Sequence, residues 1–150
     1  MKSIFFIFIF IIFAVIGAFL YFNNDKTISS SKVIIKGKEF NAEIANSAED
    51  KQTGLAKYNK INDNFMMVFP FNKKGYYTFW MKDMKFSIDI IYVADNKVVD
   101  IFKNVPFPKK ESENLPRYTS SLPADTVLEI NAGLFDKYGF KIGDSIKITY

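Results

Sequence analysis

The chain contains no cysteine, no histidine and only one arginine among its 150 residues. Without cysteine there is no disulfide, no thiolate nucleophile and no sulfur-ligated metal site. Without histidine, the commonest general base, the usual zinc ligand and the Ser-His-Asp triad are excluded. Any catalysis must rest on carboxylates, Lys, Tyr, Ser or Thr, and a metal would need the oxygen ligands that Ca²⁺ or Mg²⁺ take. Asp95-Asn96 lacks the spaced acids and the Gly of an EF-hand loop, so no cofactor is expected. The shortage of arginine bears on partners. The formal charge of +4 comes almost wholly from scattered Lys, and Arg117 is the one residue suited to bidentate phosphate and base contacts. Nucleic acid is therefore not an expected partner. Anionic lipid or a cell-envelope polymer fits the mild positive charge, as does an ordinary solvated Lys surface.

What the chain does have is one long apolar run, IFFIFIFIIFAVIGAFLYF, at residues 4–22. At about 1.5 Å per helical residue it would span ~28 Å, close to the ~30 Å hydrocarbon core of a bilayer. Ala14, Gly17 and Ala18 offer small residues for a signal-peptide cleavage site, but the run continues through Phe19, Leu20, Tyr21 and Phe22. It therefore reads as an uncleaved anchor in preference to a signal with its roughly 7–15-residue apolar core. Lys2 precedes the run, while Asp25 and Lys26 nearly cancel after it. The positive-inside rule then places the amino terminus in the cytoplasm. The expectation is a single-pass protein of the cell membrane with its C-terminal domain periplasmic or extracellular. Residues 1–22 form the anchor or signal, 23–31 a polar Ser-rich linker and 32–150 one domain, long enough for its own core.

Alternation of apolar and polar residues predicts strands at 33–36 and 40–45 around a Gly37-Lys38 turn. Ser47, followed by Glu49 and Asp50, predicts a short helix that Gly54 weakens. Further strands are expected at 65–69, 76–81, 88–93 and 97–102, the last two joined by Asp95-Asn96. Residues 104–121, with Pro106, Pro108 and Pro116, read as a long exposed loop. A strand at 126–130, a helix at 132–138 capped by Asn131 and stopped by Gly139, and a strand at 145–149 complete the chain. Seven or eight short strands with two short helices define a mainly β fold, a compact sandwich or small barrel.

Several ordered motifs then carry a resemblance. Phe79-Trp80-Met81-Lys82, Ile88-Asp89, Leu128-Glu129-Ile130-Asn131-Ala132-Gly133 and Gly143-Asp144 resemble the domain of unknown function 192 family. Gly54-Leu55, Met66-Met67-Val68-Phe69 and Pro123-Ala124 also fit, so the likeness covers nearly all of 33–150. It implies a mainly β, exported or membrane-anchored domain whose activity is not established. Four positions depart from the family pattern: Ala56 stands for Met, Asp83-Met84 for Asn-Thr, and Ser87 for Pro.

Candidate site residues are polar groups set in apolar strands, with aromatic neighbours. Asp89 lies between Ile88 and Ile90, and Glu129 between Leu128 and Ile130. Lys82 follows Trp80 by two, placing both on one face of a continued strand. Trp80, Lys82, Asp83, Asp89, Tyr118, Glu129 and Asn131 form the candidate set, with Trp80 and Tyr118 as walls. Three readings of them stand: a binding or interaction domain for a small polar ligand or envelope polymer, a hydrolase of envelope glycan working through Asp89 and Glu129, and a scaffold whose Pro-containing loop docks a membrane protein. Against all three stands a purely structural network of carboxylates, Lys and backbone amides. Phe69, Phe71, Tyr76 and Tyr77 offer a separate candidate patch for a protein partner.

Overall fold

The computed structural model describes residues 31–109 and 114–150. Its strands are β1 (Lys32–Ile35), β2 (Lys38–Ile44), β3 (Phe65–Gly75), β4 (Thr78–Trp80), β5 (Ile88–Ala94), β6 (Lys97–Val105), β7 (Arg117–Thr119), β8 (Ala124–Asn131) and β9 (Ile146–Thr149). Helix α1 (Ala48–Thr53) runs into a 3₁₀ turn, Gly54–Lys57, and helix α2 (Leu134–Lys137) follows β8. Seven strands make one sheet in the order β6-β5-β8-β3-β2-β1-β9, and β4 pairs with β7 in a separate two-stranded ribbon. The large sheet curls into a half-barrel. Its ends approach at one corner, where Lys97 bridges Ser145 and the Ile146 N–H donates to the Asn96 carbonyl.

Period-two alternation gives the sheet two apolar faces. Val33, Ile35, Phe40, Met66, Val68, Ile91, Leu128 and Ile130 share one cluster with Val98 and Ile146, which come from the two ends of the sheet, so this face is the inside of the curl. Met67, Phe69, Ile88, Ile90, Tyr92 and Val127 share the other, which is covered by Leu55, Met81, Met84, Phe79 and Tyr118 from the 3₁₀ turn, the ribbon and their connections. β5 is buried along its whole length because both of its faces are covered.

The β-rich expectation holds, with corrections in detail. The first hairpin turns on Lys36-Gly37, one residue earlier than expected, with Ile35 opposite Lys38. Both turn residues have positive φ, 48° and 77°, the pattern that matches strand twist in a two-residue turn. Asp95-Asn96 does the same with φ of 50° and 59°. β3 runs past Pro70, and its register against β8 shifts between Pro70 and Gly75, where a residue without an N–H is tolerated. The expected loop at 104–121 carries strand β7, which three residues of β4 recruit by pairing Phe79 with Tyr118. The second helix is shorter than 132–138 and starts after Gly133, not at Asn131, although Gly139 does take the left-handed conformation at φ 64°. The expected anchor at 4–22 lies outside the described residues, among which no helix is long and apolar enough to cross a membrane. Of the aromatic patch, Phe69 is buried and Phe71 stacks on Tyr77 at 3.5 Å between ring centroids, leaving Tyr76 as its one exposed member.

Candidate functional site

On the outer face of the sheet a cavity of about 180 Å³ opens between α1, the 3₁₀ turn, β3, β8 and the ribbon. Local sequence sets its roof. Ser47 Oγ accepts the Asp50 N–H at 2.9 Å while the Asp50 carboxylate accepts the Ser47 N–H at 3.2 Å, a reciprocal cap that starts α1. That pairing also holds the Asp50 carboxyl below its ordinary pKa, the Ser47 hydroxyl being the main cause and its backbone N–H the second. Gly54, at φ 52° and ψ −141°, then ends the helix in a conformation that a side chain would strain. A Cβ there would lie 3.3 Å from Phe69 Cζ and 3.5 Å from Glu129 Oε2. The bare backbone therefore comes down onto Glu129, whose carboxyl accepts the Leu55 N–H.

Glu129 sits mid-strand in β8, opposite Met67 of β3 and Ile90 of β5. It is 5% exposed, and its Oε2 has no hydrogen-bond partner. Burial among apolar side chains pushes its pKa up to about 8, against the smaller opposing effect of the Leu55 N–H. At neutral pH it is therefore mostly a carboxylic acid with an O–H to donate. Aromatic rings wall the space around it. Phe69 and Phe79 meet edge to face at 5.0 Å, and Trp80, 38% exposed, stands at the opening. Lys51 Nζ lies 4.8 Å from the Phe71 ring centroid and Lys82 Nζ 5.6 Å from that of Trp80, with Arg117 Cζ also 5.1 Å from Trp80. The ribbon is tied to the sheet by Tyr92, whose hydroxyl donates to the Tyr118 carbonyl at 2.7 Å. Burial is the main reason the Tyr92 hydroxyl keeps its proton well above the usual tyrosine range, with the charges of Asp100 and Glu129 adding to it.

The structure brings three of the sequence candidates together here: Trp80, Lys82 and Glu129 all line the cavity. The others lie elsewhere. Asp89 is fully buried on the inside of the curl. Its carboxylate accepts the N–H groups of Asn104 at 2.7 Å, Gly133 at 3.1 Å and Phe135 at 3.0 Å, holding the chain around the start of α2. Register explains the separation. Asp89 faces Ile130 and Ile90 faces Glu129 across β5 and β8, so the two carboxyls project from opposite faces of the sheet. They cannot flank one glycosidic bond as a two-carboxylate hydrolysis requires. Asn131, expected as a helix cap, instead donates its amide to the Ile61 carbonyl and the Asp63 carboxylate, both at 3.1 Å, fixing the segment ahead of β3. Tyr118 packs its ring on Phe102, with centroids 5.4 Å apart, and does not line the cavity. Asp83 is exposed, at φ 59°, just beyond the ribbon. β4 ends at Trp80, so Lys82 reaches the Trp80 ring from the following turn and not as a strand neighbour.

Sequence reasoning missed Lys51, Gly54, Phe69 and Phe79 as parts of the site. Gly54-Leu55 and Phe79 stood in the family motifs, but nothing in their spacing indicated that they meet Glu129. Fold and site together define a class: a curled β half-barrel holding one buried acid beneath an aromatic and cationic rim. The chain belongs to the DUF192 family, described as "Uncharacterized ACR, COG1430", which it matches over residues 31–148. Its activity is not known. Two solved structures share the fold. One is a protein of unknown function from Novosphingobium aromaticivorans DSM 12444, 29% identical, with a TM-score of 0.69 over 77% of this chain and 83% of that one. The other, from Sinorhizobium meliloti 1021 and described as a candidate transcription regulator, is 24% identical with a TM-score of 0.68, over 79% of this chain and 91% of its own. No curated protein matches.

Proposed function

We propose that this domain is a binding module, held at the outer face of a membrane by residues 4–22, that takes a small polar ligand or the terminal unit of an envelope polymer in the Glu129 cavity. The observation that carries the reading is the free Oε2 of Glu129, a buried carboxyl oxygen with no partner in a protein whose other buried acid, Asp89, is fully hydrogen-bonded. Buried polar atoms left unmatched cost about 1–3 kcal/mol each, and a ligand atom that matches this one recovers that cost on binding. The space is smaller than the roughly 300–1,000 Å³ of drug-sized sites, which favours a small molecule or a single unit of a longer one. Polar side chains of Gln52, Thr53 and Thr78 among apolar walls supply the few fixed contacts that orient such a ligand.

A crystallographic fragment screen with small polar compounds tests this. The expected outcome is compounds seated against Glu129 and Trp80 in the native protein and lost from a Glu129→Leu variant that keeps its fold. Compounds that collect only at other surfaces would overturn the reading.

A further inference from the structure

We infer that the ligand of this cavity is a small organic anion that places its charged group between Lys51 and Lys82 and offers an uncharged hydrogen-bond acceptor to Glu129. The inference rests on reading the cavity as a ligand site and goes beyond it to the chemical class. Three charged residues line the space, and their balance is one-sided: Lys51 and Lys82 are cations, and Glu129 is the one acid. Held mostly as the neutral acid at neutral pH, Glu129 does not offset the two lysines.

Among the described residues neither lysine is held in an ion pair. The ion pairs among the described residues are Lys32–Glu39, Lys57–Glu43, Lys74–Asp95, Lys103–Asp136 and Lys137–Asp63, and none involves Lys51 or Lys82. Each ammonium instead rests near an aromatic ring, Phe71 or Trp80, an arrangement that holds the side chain in place without neutralising it. Arg117 adds a third cation over Trp80 at the opening. Lys51 is half-buried while Lys82 and Arg117 are exposed, so the positive charge sits at the opening of the cavity, where an anion gains more than a neutral ligand does.

The depth of the cavity asks for something different. The Glu129 O–H needs an acceptor, and the Leu55 N–H already serves the other side of the carboxyl. Thr78, a hydroxyl-bearing wall residue on the ribbon, already shares a hydrogen bond of 2.8 Å with Thr119. A neutral carbonyl or hydroxyl oxygen of the ligand fits this position, whereas a second anionic group would not once Glu129 ionises. The titratable groups around Glu129 are Lys51 of α1, Lys82 after β4, Tyr77 before β4 and Tyr92 of β5. Burial keeps the proton on Glu129 up to about 8, so raising the pH from 6.5 to 9 ionises it.

Glucose, glucuronate and glucose 6-phosphate test the class, since they share one ring and differ in charge. The full chain in detergent micelles is titrated with each, and binding is read from the fluorescence of Trp80, the one tryptophan. At pH 6.5 at least one of the two anions should bind at least tenfold more tightly than glucose. A preference for the carboxylate or for the phosphate alone supports the proposal and identifies the source of the charge. Lys51→Gln and Lys82→Gln should each weaken the anion about tenfold, the loss of one charge-assisted hydrogen bond, and leave glucose unchanged. Raising the pH to 9 should weaken the anion in the native protein and not in Glu129→Gln. Glucose binding as tightly as both anions would overturn the ligand class and leave the binding site standing. Absence of any response to all three at 50 mM would overturn the class and the site together.

Discussion

Replacing Glu129 with Gln should remove a pH dependence of stability that the native protein carries between pH 4.5 and about 8. In the unfolded chain the carboxyl ionises near 4.5, whereas in the folded protein burial keeps the proton on up to about 8. Between these values the folded state binds more protons than the unfolded state, so folding stability falls as pH rises. Below 4.5 both states are protonated and the native acid costs nothing extra; above 8 both are ionised and the loss is complete. At about 1.4 kcal/mol per pKa unit this window corresponds to a ceiling of roughly 5 kcal/mol, which local opening and water entry reduce to about 2–5 kcal/mol. Gln has the shape of the protonated acid. Its oxygen can take the Leu55 N–H and its amide can occupy the place of Oε2, so it retains the neutral form at every pH. Urea unfolding followed by Trp80 fluorescence at pH 5, 6.5 and 8 measures the difference. The Gln variant should gain on the native protein by about 2–3.5 kcal/mol from pH 5 to pH 8. Stability curves that run parallel across this range would refute the reasoning, because they would mean that Glu129 ionises as an ordinary surface acid.

Other substitutions separate scaffold from site. Asp89→Asn leaves one acceptor oxygen where the native carboxylate serves three backbone N–H groups; it should lower unfolding free energy by about 3 kcal/mol, measured in urea, and leave the Glu129 pH window intact. Gly54→Ala forces a Cβ to within 3.3 Å of Phe69 at a positive φ and should cost about 1–3 kcal/mol in the same assay, while narrowing the cavity seen by crystallography. Tyr92→Phe removes the hydroxyl that holds the Tyr118 carbonyl at 2.7 Å and should cost about 1–2 kcal/mol, with faster hydrogen exchange at the amides of the β4–β7 ribbon.

Much of the sheet was legible because its signals are local. Alternation in 33–35 and 40–44 placed Val33, Ile35, Phe40, Ala42 and Ile44 on one face, and all five pack in the inner core. Asp95-Asn96 identified its hairpin because those residue types accept positive φ. What was not legible depends on pairing. Asp89 and Glu129 look equivalent in sequence, each a carboxylate between branched or long aliphatic residues. The one-residue offset in the β5–β8 register sends one inward to three amides and the other outward to a cavity. β7 is three residues within a Pro-containing stretch, too short to show a period, and it exists as a strand by pairing with β4. Lys51, Gly54, Phe69 and Phe79 converge on Glu129 from separate elements, a convergence that no spacing along the chain encodes.

The protonation state of Glu129 is the most direct measure of whether this cavity is built around a neutral acid. Carbon-13 labelling of glutamate, with the Glu129 side-chain carboxyl resonance assigned by its absence in Glu129→Gln, gives that state as a function of pH. A titration midpoint near 8 is the expected result. A midpoint at the ordinary glutamate value of about 4.3 would contradict the account.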